Sequence, residues 1–219
     1  YVRAASMAEA GANANDLAFA ARAVLADVMV IGRQPTSAQL DRAEALSRAA
    51  LEKSPDHVEG QLQLAIVLSL RARPMKTGEA MRSGYGEEAR DLARNVVRID
   101  PENPWGHGFL AVWNVEVVRR GGSFGAGFIG ASLKSGASHF AAARKAAPDD
   151  IAIIWQYARA LVALDARKYG KEGAALFDQI ARLEARDPLE KALKTRAAVL
   201  ADTLKADPAR AEAMAADWL

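Results

Sequence analysis

The 219-residue sequence contains no cysteine, which excludes a disulfide scaffold and a metal site built on thiolates. Aromatic residues make up only 6% of the chain, and the formal net charge is +2. The sequence pI of about 8.9 therefore reflects a small basic excess and does not by itself indicate a nucleic-acid partner. Hydrophobic residues reach 51%, so the chain can bury a substantial core and is not a disordered polyelectrolyte.

Long apolar runs are also missing from the sequence. No stretch of about 18 apolar residues predicts a transmembrane helix, and no charged and then apolar leader opens the chain. Residue 1 is Tyr rather than Met, so we expect either a trimmed chain or a mature form whose leader has been removed. Periplasmic and cytoplasmic locations both fit, and removal of a leader favours the periplasm.

Apolar residues recur at helical spacing along nearly the whole chain. Two examples are Leu17, Ala20, Ala21, Val24, Leu25 and Val28 in one segment, and Ile154, Tyr157, Ala158, Leu161 and Val162 in another. No segment shows the period-two alternation of a half-buried strand, and hairpin signals such as Asn-Gly are missing. The sequence therefore predicts an all-α protein.

Three prolines in matching contexts indicate an internal repeat. Each closes an amphipathic helix that contains a small residue, and a pair of one large and one small residue follows nine positions later. The prolines are Pro55, Pro101 and Pro148, the small residues are Ala43, Ala89 and Gly136, and the pairs are Leu64-Ala65, Leu110-Ala111 and Tyr157-Ala158. The small residues allow two helices to approach closely.

This pattern resembles the tetratricopeptide repeat (TPR) from about residue 14 to residue 188. The resemblance implies a right-handed α-solenoid of about four irregular helix pairs in a single domain, 1–219. The expected repeats span 14–55, 56–101, 102–148 and 149–188, and a capping helix at 189–207 precedes Pro208 and a short alanine-rich tail. The proline intervals exceed the family period of about 34 residues, and the surplus falls in long turns at 71–85 and 119–133, where binding loops are common.

The resemblance also implies a concave groove lined by the first helix of each repeat. The positions that carry over are Glu59, Leu62, Ile66, Trp105, Gly108, Val112, Glu116, Trp155 and Arg159. Families that clamp a C-terminal carboxylate use Lys and Asn at several of these positions, whereas Leu62, Gly108 and Trp155 replace the Lys here. We therefore expect an apolar, aromatic groove with Glu116 and Arg159 as its polar contacts.

These observations predict a non-enzymatic binding or adaptor protein that docks a protein or peptide segment on Trp105 and Trp155. Two interpretations of the groove stay open: it receives a partner, or the protein's own N-terminal or long-loop segments fill it. The alternative functions are a periplasmic accessory protein that holds a small apolar or lipid-like ligand, and a structural homo-oligomer. The stretch 108–122 also resembles an uncharacterised bacterial group of TPR proteins, and the helix count distantly resembles the T-component of TRAP transporters.

No cofactor or metal is expected. Residues 125–130 match the dinucleotide fingerprint G-x-G-x-x-G, which works only between a strand and a helix, and the preceding segment is predicted to be helical. An enzyme that used this turn for a phosphate cofactor would require strands. The three histidines, His57, His107 and His139, occupy unrelated repeat positions and predict no metal site.

Basic pairs recur near the end of the first helix of each repeat, for example Arg119 and Arg120. Favourable charge at a helix C-terminus explains them, and a basic rim that attracts acidic peptides or lipid headgroups is the alternative. A nucleic-acid partner is not expected, because acidic residues are interleaved along the chain and aromatic residues do not alternate with basic ones.

Overall fold

The computed structural model describes residues 1–32 and 34–218. Within these residues all regular secondary structure is helical and no strand occurs, which confirms the all-α prediction. The twelve helices of the described residues are α1 (Val2–Glu9), α2 (Ala14–Ile31), α3 (Ser37–Lys53), α4 (Val58–Ala72), α5 (Thr77–Ser83), α6 (Tyr85–Ile99), α7 (Pro104–Phe128), α8 (Leu133–Ala146), α9 (Ile151–Leu164), α10 (Ala166–Arg182), α11 (Pro188–Ala206) and α12 (Pro208–Asp217).

The two long turns expected from the repeat spacing are partly helical. The first turn, 71–85, contains α5, and the second, 119–133, contains the end of α7. The alanine-rich tail after Pro208 is helix α12 rather than a tail. Its Asp-Pro start is a common helix signal, because Asp caps the first free N–H groups and Pro suits the first helical position.

The described chain divides into two compact units, Tyr1–Gly106 and His107–Leu219. In the first unit, α2 packs against α1, α3 and α4, and α4 packs against α6. The small residues predicted from the repeat, Ala43 and Ala89, are fully buried. At Gly106 an added Cβ would lie 2.8 Å from Val96 Cγ1, so close helix approach requires glycine there. Small side chains therefore set the spacing of these helices.

The second unit is organised around α9, in which twelve of the fourteen residues are buried. Helices α8, α10, α11 and α12 all pack against it. The side chain of Asp150 caps its start by accepting from the backbone N–H of Ile153 at 2.9 Å. Gly173 of α10 lies so near that an added Cβ would be 2.7 Å from Val162 Cγ2. Because α9 is the central helix, contacts on its faces decide which surfaces of this unit remain open.

Because of Tyr157 on α9, we expect the stability of the protein to fall at alkaline pH. Its ring stacks on Phe140 at 4.0 Å between centroids, and burial raises the pKa of the phenol to about 12, from about 10. The raised pKa means that the folded state favours the neutral phenol. The contribution of Tyr157 to the free energy of unfolding is therefore fully present below about pH 10 and is lost as the pH rises towards about 12.

We expect the free energy of unfolding to lose about 2–3 kcal/mol across this pH interval through Tyr157. Urea unfolding from pH 8 to 12 measures the loss in the wild-type chain and in Tyr157→Phe. The variant should lack this component of the pH dependence. If the free energy of unfolding falls equally with pH in the wild type and in Tyr157→Phe, the prediction is wrong.

Candidate functional site

Helix α12 covers two of the predicted groove residues, Trp155 and Arg159, which lie one turn apart on α9. Trp155 has no exposed surface, and its ring lies 6.0 Å from the ring of Phe177 and 6.2 Å from that of Trp218, measured between centroids. The surface of α9 that carries these two predicted residues is thus covered by a segment of the same chain. This segment is the C-terminal helix, whereas the interpretation of a self-filled groove named the N-terminal or long-loop segments.

Arg159 is the polar centre of this contact, although only 2% of it is exposed. Its Nη1 donates to the carbonyl oxygen of Ala215 at 2.8 Å, and its Nη2 donates to Glu116 Oε1 at 3.1 Å. Its Nε donates to Gln156 Oε1 at 3.2 Å. Arg119 donates to the other oxygen of Glu116 at 2.7 Å. The Glu116 carboxylate therefore bridges two guanidinium groups, one of which holds α12.

The carbonyl that Arg159 contacts belongs to the last turn of α12, where carbonyls lack a partner within the helix. A cation at this end also complements the negative pole of the helix dipole. At the other end of the contact, Glu212 Oε2 accepts from the backbone N–H of Ala166, the first residue of α10, at 2.9 Å. Two charged side chains therefore satisfy backbone groups that helix ends leave free.

Small side chains let α12 lie close to its neighbours. Ala211 and Ala215, one turn apart, are fully buried in the same apolar cluster as Trp155 and Ile154. Ala213 points away from this cluster and is exposed. The two fully buried residues of α12 are thus alanines, and Met214, Ala216 and Trp218 pack partly buried against the same cluster.

The other predicted groove residues belong to both units. Gly108 is buried and Val112 half-buried on α7 in the second unit, and the remaining four lie in the first unit. Glu59 Oε1 accepts from Gln63 at 3.1 Å, Leu62 is buried, Ile66 packs against the core of α2 and α3, and Trp105 is 46% exposed. Of the nine predicted positions, Glu116, Trp155 and Arg159 lie at the contact between α9 and α12 or bind a residue of it.

Sequence reasoning missed the residues that α12 contributes, which are Glu212, Ala215 and Trp218. A signal for them was present, because Asp207-Pro208 repeats the Asp187-Pro188 dipeptide that begins α11. The alanine-rich composition of the segment that follows instead predicts a tail after the repeats. Neither the helical structure of this segment nor its contact with α9 is therefore predicted from the sequence.

The three histidines serve different local contacts. The Nδ1 of His57 accepts from the backbone N–H of Gly60 at 3.0 Å and caps α4. His107 and His139 place their Nδ1 atoms 2.8 Å apart, so one nitrogen donates and the other accepts. No group of three or more His, Cys, Asp or Glu side chains suited to a metal ion occurs among the residues that the structure describes.

The glycine fingerprint at 125–130 lies at the end of α7 and in the turn to α8. Within residues 1–32 and 34–218 no strand precedes it, so the strand-to-helix turn that places a pyrophosphate is missing. Two cavities of about 240 and 540 Å³ occur in the first unit. Neither is lined by any of the predicted groove residues.

No protein-family model matches this chain, and no curated protein matches it either. Among the described helices, none combines the length and the apolar character needed to cross a bilayer.

Proposed function

We propose that this chain is a non-enzymatic binding protein that docks a helical segment of a protein partner on the face of α9 now covered by α12. One observation carries the proposal: a ten-residue helix already lies on this face. Arg159 donates to a carbonyl of this helix, and Trp218 at its end packs against Trp155. The face therefore offers what helix docking needs, an apolar floor and a cation for the free carbonyls of a helix end.

The contacts of α12 define which segments fit the site. The helix presents small residues one turn apart at 211 and 215, a carboxylate at 212 and an aromatic ring at 218. The small residues allow close approach, the carboxylate meets the N-terminus of α10, and the aromatic ring packs on Trp155. We infer a partner helix with the same order: small, acidic, two variable residues, small, two variable residues, aromatic.

The length of α12 supports its role as a replaceable occupant. Isolated helices shorter than about 12 residues are marginal in water, so α12 depends on its docking contacts for helical structure. Its attachment to α11 gives it a high effective concentration at the site. A partner must therefore compete with α12, which suits a binding surface that opens only for a well-matched segment.

The arrangement that we propose around this site is a right-handed α-solenoid of about four TPR-like pairs. Pairing of α2 with α3, of α4 with α6 and of α9 with α10 supports it, as does the packing of α3 on α4. Helices α3, α6 and α8 end just before Pro55, Pro101 and Pro148, as the repeat pattern requires. In this arrangement α11 is the capping helix.

A labelled peptide of residues 207–218 tests whether the face accepts a helix in trans. Ala211→Asp in the full chain places a carboxylate in the buried face of α12 and should expel this helix while leaving α9 intact. We expect the variant to bind the peptide at least about tenfold more tightly than the wild type, because the internal competitor is gone. Fluorescence anisotropy measures the affinity.

Ala213→Asp is the matched control, because Ala213 is exposed on the same helix and the substitution should leave peptide affinity at the wild-type level. A Trp218→Ala peptide should bind the Ala211→Asp chain more weakly than the native peptide. Hydrogen exchange gives the second readout. If the amides of α12 in the wild type exchange as slowly as those of α9, α12 belongs to the permanent core and the proposal is wrong.

A further inference from the structure

The segment 117–148 contains no acidic residue, although the chain as a whole contains 27. Its five basic residues are Arg119, Arg120, Lys134, Arg144 and Lys145. This segment is an exception to the interleaved charge that argued against polyanionic partners. The excess of positive charge is thus concentrated in the end of α7, the following turn and α8.

The centre of the segment is an exposed tip, defined as residues 121–130. The tip carries no charge, and Phe124 and Phe128 are 83% and 78% exposed. Their rings pack edge to face, with centroids 5.0 Å apart. Such exposure of two neighbouring aromatic rings is costly in water and marks an interaction surface when the rings are held in place.

Buried side chains and one hydrogen bond hold the backbone of the tip in place. Gly122 adopts φ +65°, a left-handed conformation that breaks the helical path of α7 and that glycine adopts without strain. Ala126 and Ala131 are buried against Trp113 and Val118. The backbone N–H of Ser132 donates to Oδ1 of the buried Asn114 at 2.9 Å.

These contacts hold the middle of the tip and the residues that follow it, so Phe124 and Phe128 flank a buried residue, Ala126. Positive charge borders the tip on both sides in the sequence. Arg120 precedes it, and the exposed Lys134 follows it. Burial, followed by the neighbouring Arg119, lowers the pKa of the Arg120 guanidinium, and Glu116 partly opposes this shift.

We propose that the tip binds the surface of an anionic lipid bilayer, with Phe124 and Phe128 inserted at the boundary of headgroups and acyl chains and with Arg120 and Lys134 beside the phosphates. Aromatic side chains prefer this boundary, and basic residues next to an inserted apolar segment gain from the negative surface potential. The five glycines of the tip add little bulk around the two rings.

A bilayer fits these features better than a protein groove does. The uncharged tip offers no charged side chain that a specific protein partner could pair with, whereas its basic borders match a continuous layer of phosphates. The inferred contact is shallow, because the ten residues of the tip extend only to the boundary between lipid headgroups and acyl chains. It also uses residues other than those of the docking face on α9, which is formed around Trp155 and Arg159.

Vesicle co-sedimentation tests the proposal. We expect the wild-type chain to bind phosphatidylcholine vesicles containing about 30% phosphatidylglycerol and to bind pure phosphatidylcholine at least about tenfold more weakly. Raising the salt from about 0.1 M to about 0.5 M should reduce binding, because exposed charges are then screened. Phe124→Ser/Phe128→Ser should lower the partition coefficient on the anionic vesicles at least about tenfold.

Phe19→Ser is the matched control, because Phe19 is also exposed, at 42%, but lies on α2. This variant should bind vesicles as the wild type does, and circular dichroism checks that all variants keep their helicity. Absence of wild-type binding to anionic vesicles overturns the proposal, as does unchanged binding of the double variant. Sedimentation velocity tests whether the tip instead binds a second copy of the chain. A wild-type dimer that becomes a monomer in Phe124→Ser/Phe128→Ser would overturn the proposal and assign the tip to self-association.

Discussion

Replacing Trp155 by Ala should lower the free energy of unfolding by about 3–5 kcal/mol. The side chain has no exposed surface and lies between the rings of Phe177 and Trp218 in the largest apolar cluster of the second unit. Truncation removes the buried surface of an indole and leaves a cavity that the surrounding helices fill only in part. No substitution elsewhere on α9 removes as large a side chain.

Urea unfolding followed by circular dichroism at 222 nm measures this loss. Trp105→Ala is the control, since Trp105 is 46% exposed and its truncation should cost less than about 1 kcal/mol. Similar losses for the two variants would show that Trp155 is not a core residue. Any loss of partner binding in Trp155→Ala must be compared at equal folded fraction, because part of it follows from instability alone.

Arg159→Met should release α12 from α9 without unfolding the rest of the second unit. Methionine keeps the apolar stem but cannot donate to the carbonyl of Ala215, which then lies buried without this partner. Loss of a hydrogen bond to a charged group costs about 1.5–3 kcal/mol, so local opening of α12 should become roughly 10 to 150 times more frequent. Hydrogen exchange of the α12 amides, read by mass spectrometry, measures this increase.

Arg119→Met provides the matched control for Arg159→Met. Both arginines bind the Glu116 carboxylate, but of the two only Arg159 donates to a carbonyl of α12 in the contacts described above. Exchange of α12 should therefore stay at the wild-type level in Arg119→Met. If both variants speed exchange equally, the Glu116 carboxylate rather than the carbonyl contact holds the helix, and the direct role of Arg159 is wrong.

Much of the fold could be predicted from the sequence because its signals are local. Pro55, Pro101 and Pro148 stop helices within a few residues, and the apolar spacing of 3.6 residues distinguishes helix from strand. The small residues Ala43 and Ala89 are buried as the repeat pattern requires. Each of these features depends on neighbours in the chain, so one sequence is enough to see them.

The occupant of the groove could not be predicted in this way. Arg159 and Ala215 are separated by 56 positions, and nothing in the local pattern of either segment pairs them. Helix α12 also has an alanine-rich sequence, which resembles a solvated tail as much as a packed helix. Only the tertiary structure shows that this alanine-rich helix packs on α9, with Ala211 and Ala215 buried in the same cluster as Trp155.

The exposure of the tip is also beyond what residue spacing can predict. Apolar residues at helical spacing predict a buried face, and Phe124 and Phe128 are four positions apart. The structure instead buries Ala126 between them and leaves both rings in solvent, because Gly122 redirects the chain at the end of α7. Helical spacing indicates that two side chains lie on the same face of a helix, but it does not indicate whether that face is buried or exposed.

Asp207 joins the last two helices, since it ends α11 and also caps α12. The next residue, Pro208, has no N–H and its ring would collide with the carbonyl four positions earlier, so α11 cannot grow through it into one straight rod. If α12 leaves α9 as proposed, it cannot become a straight continuation of α11. A released segment would gain conformational entropy, and this gain would offset part of the contacts that it loses.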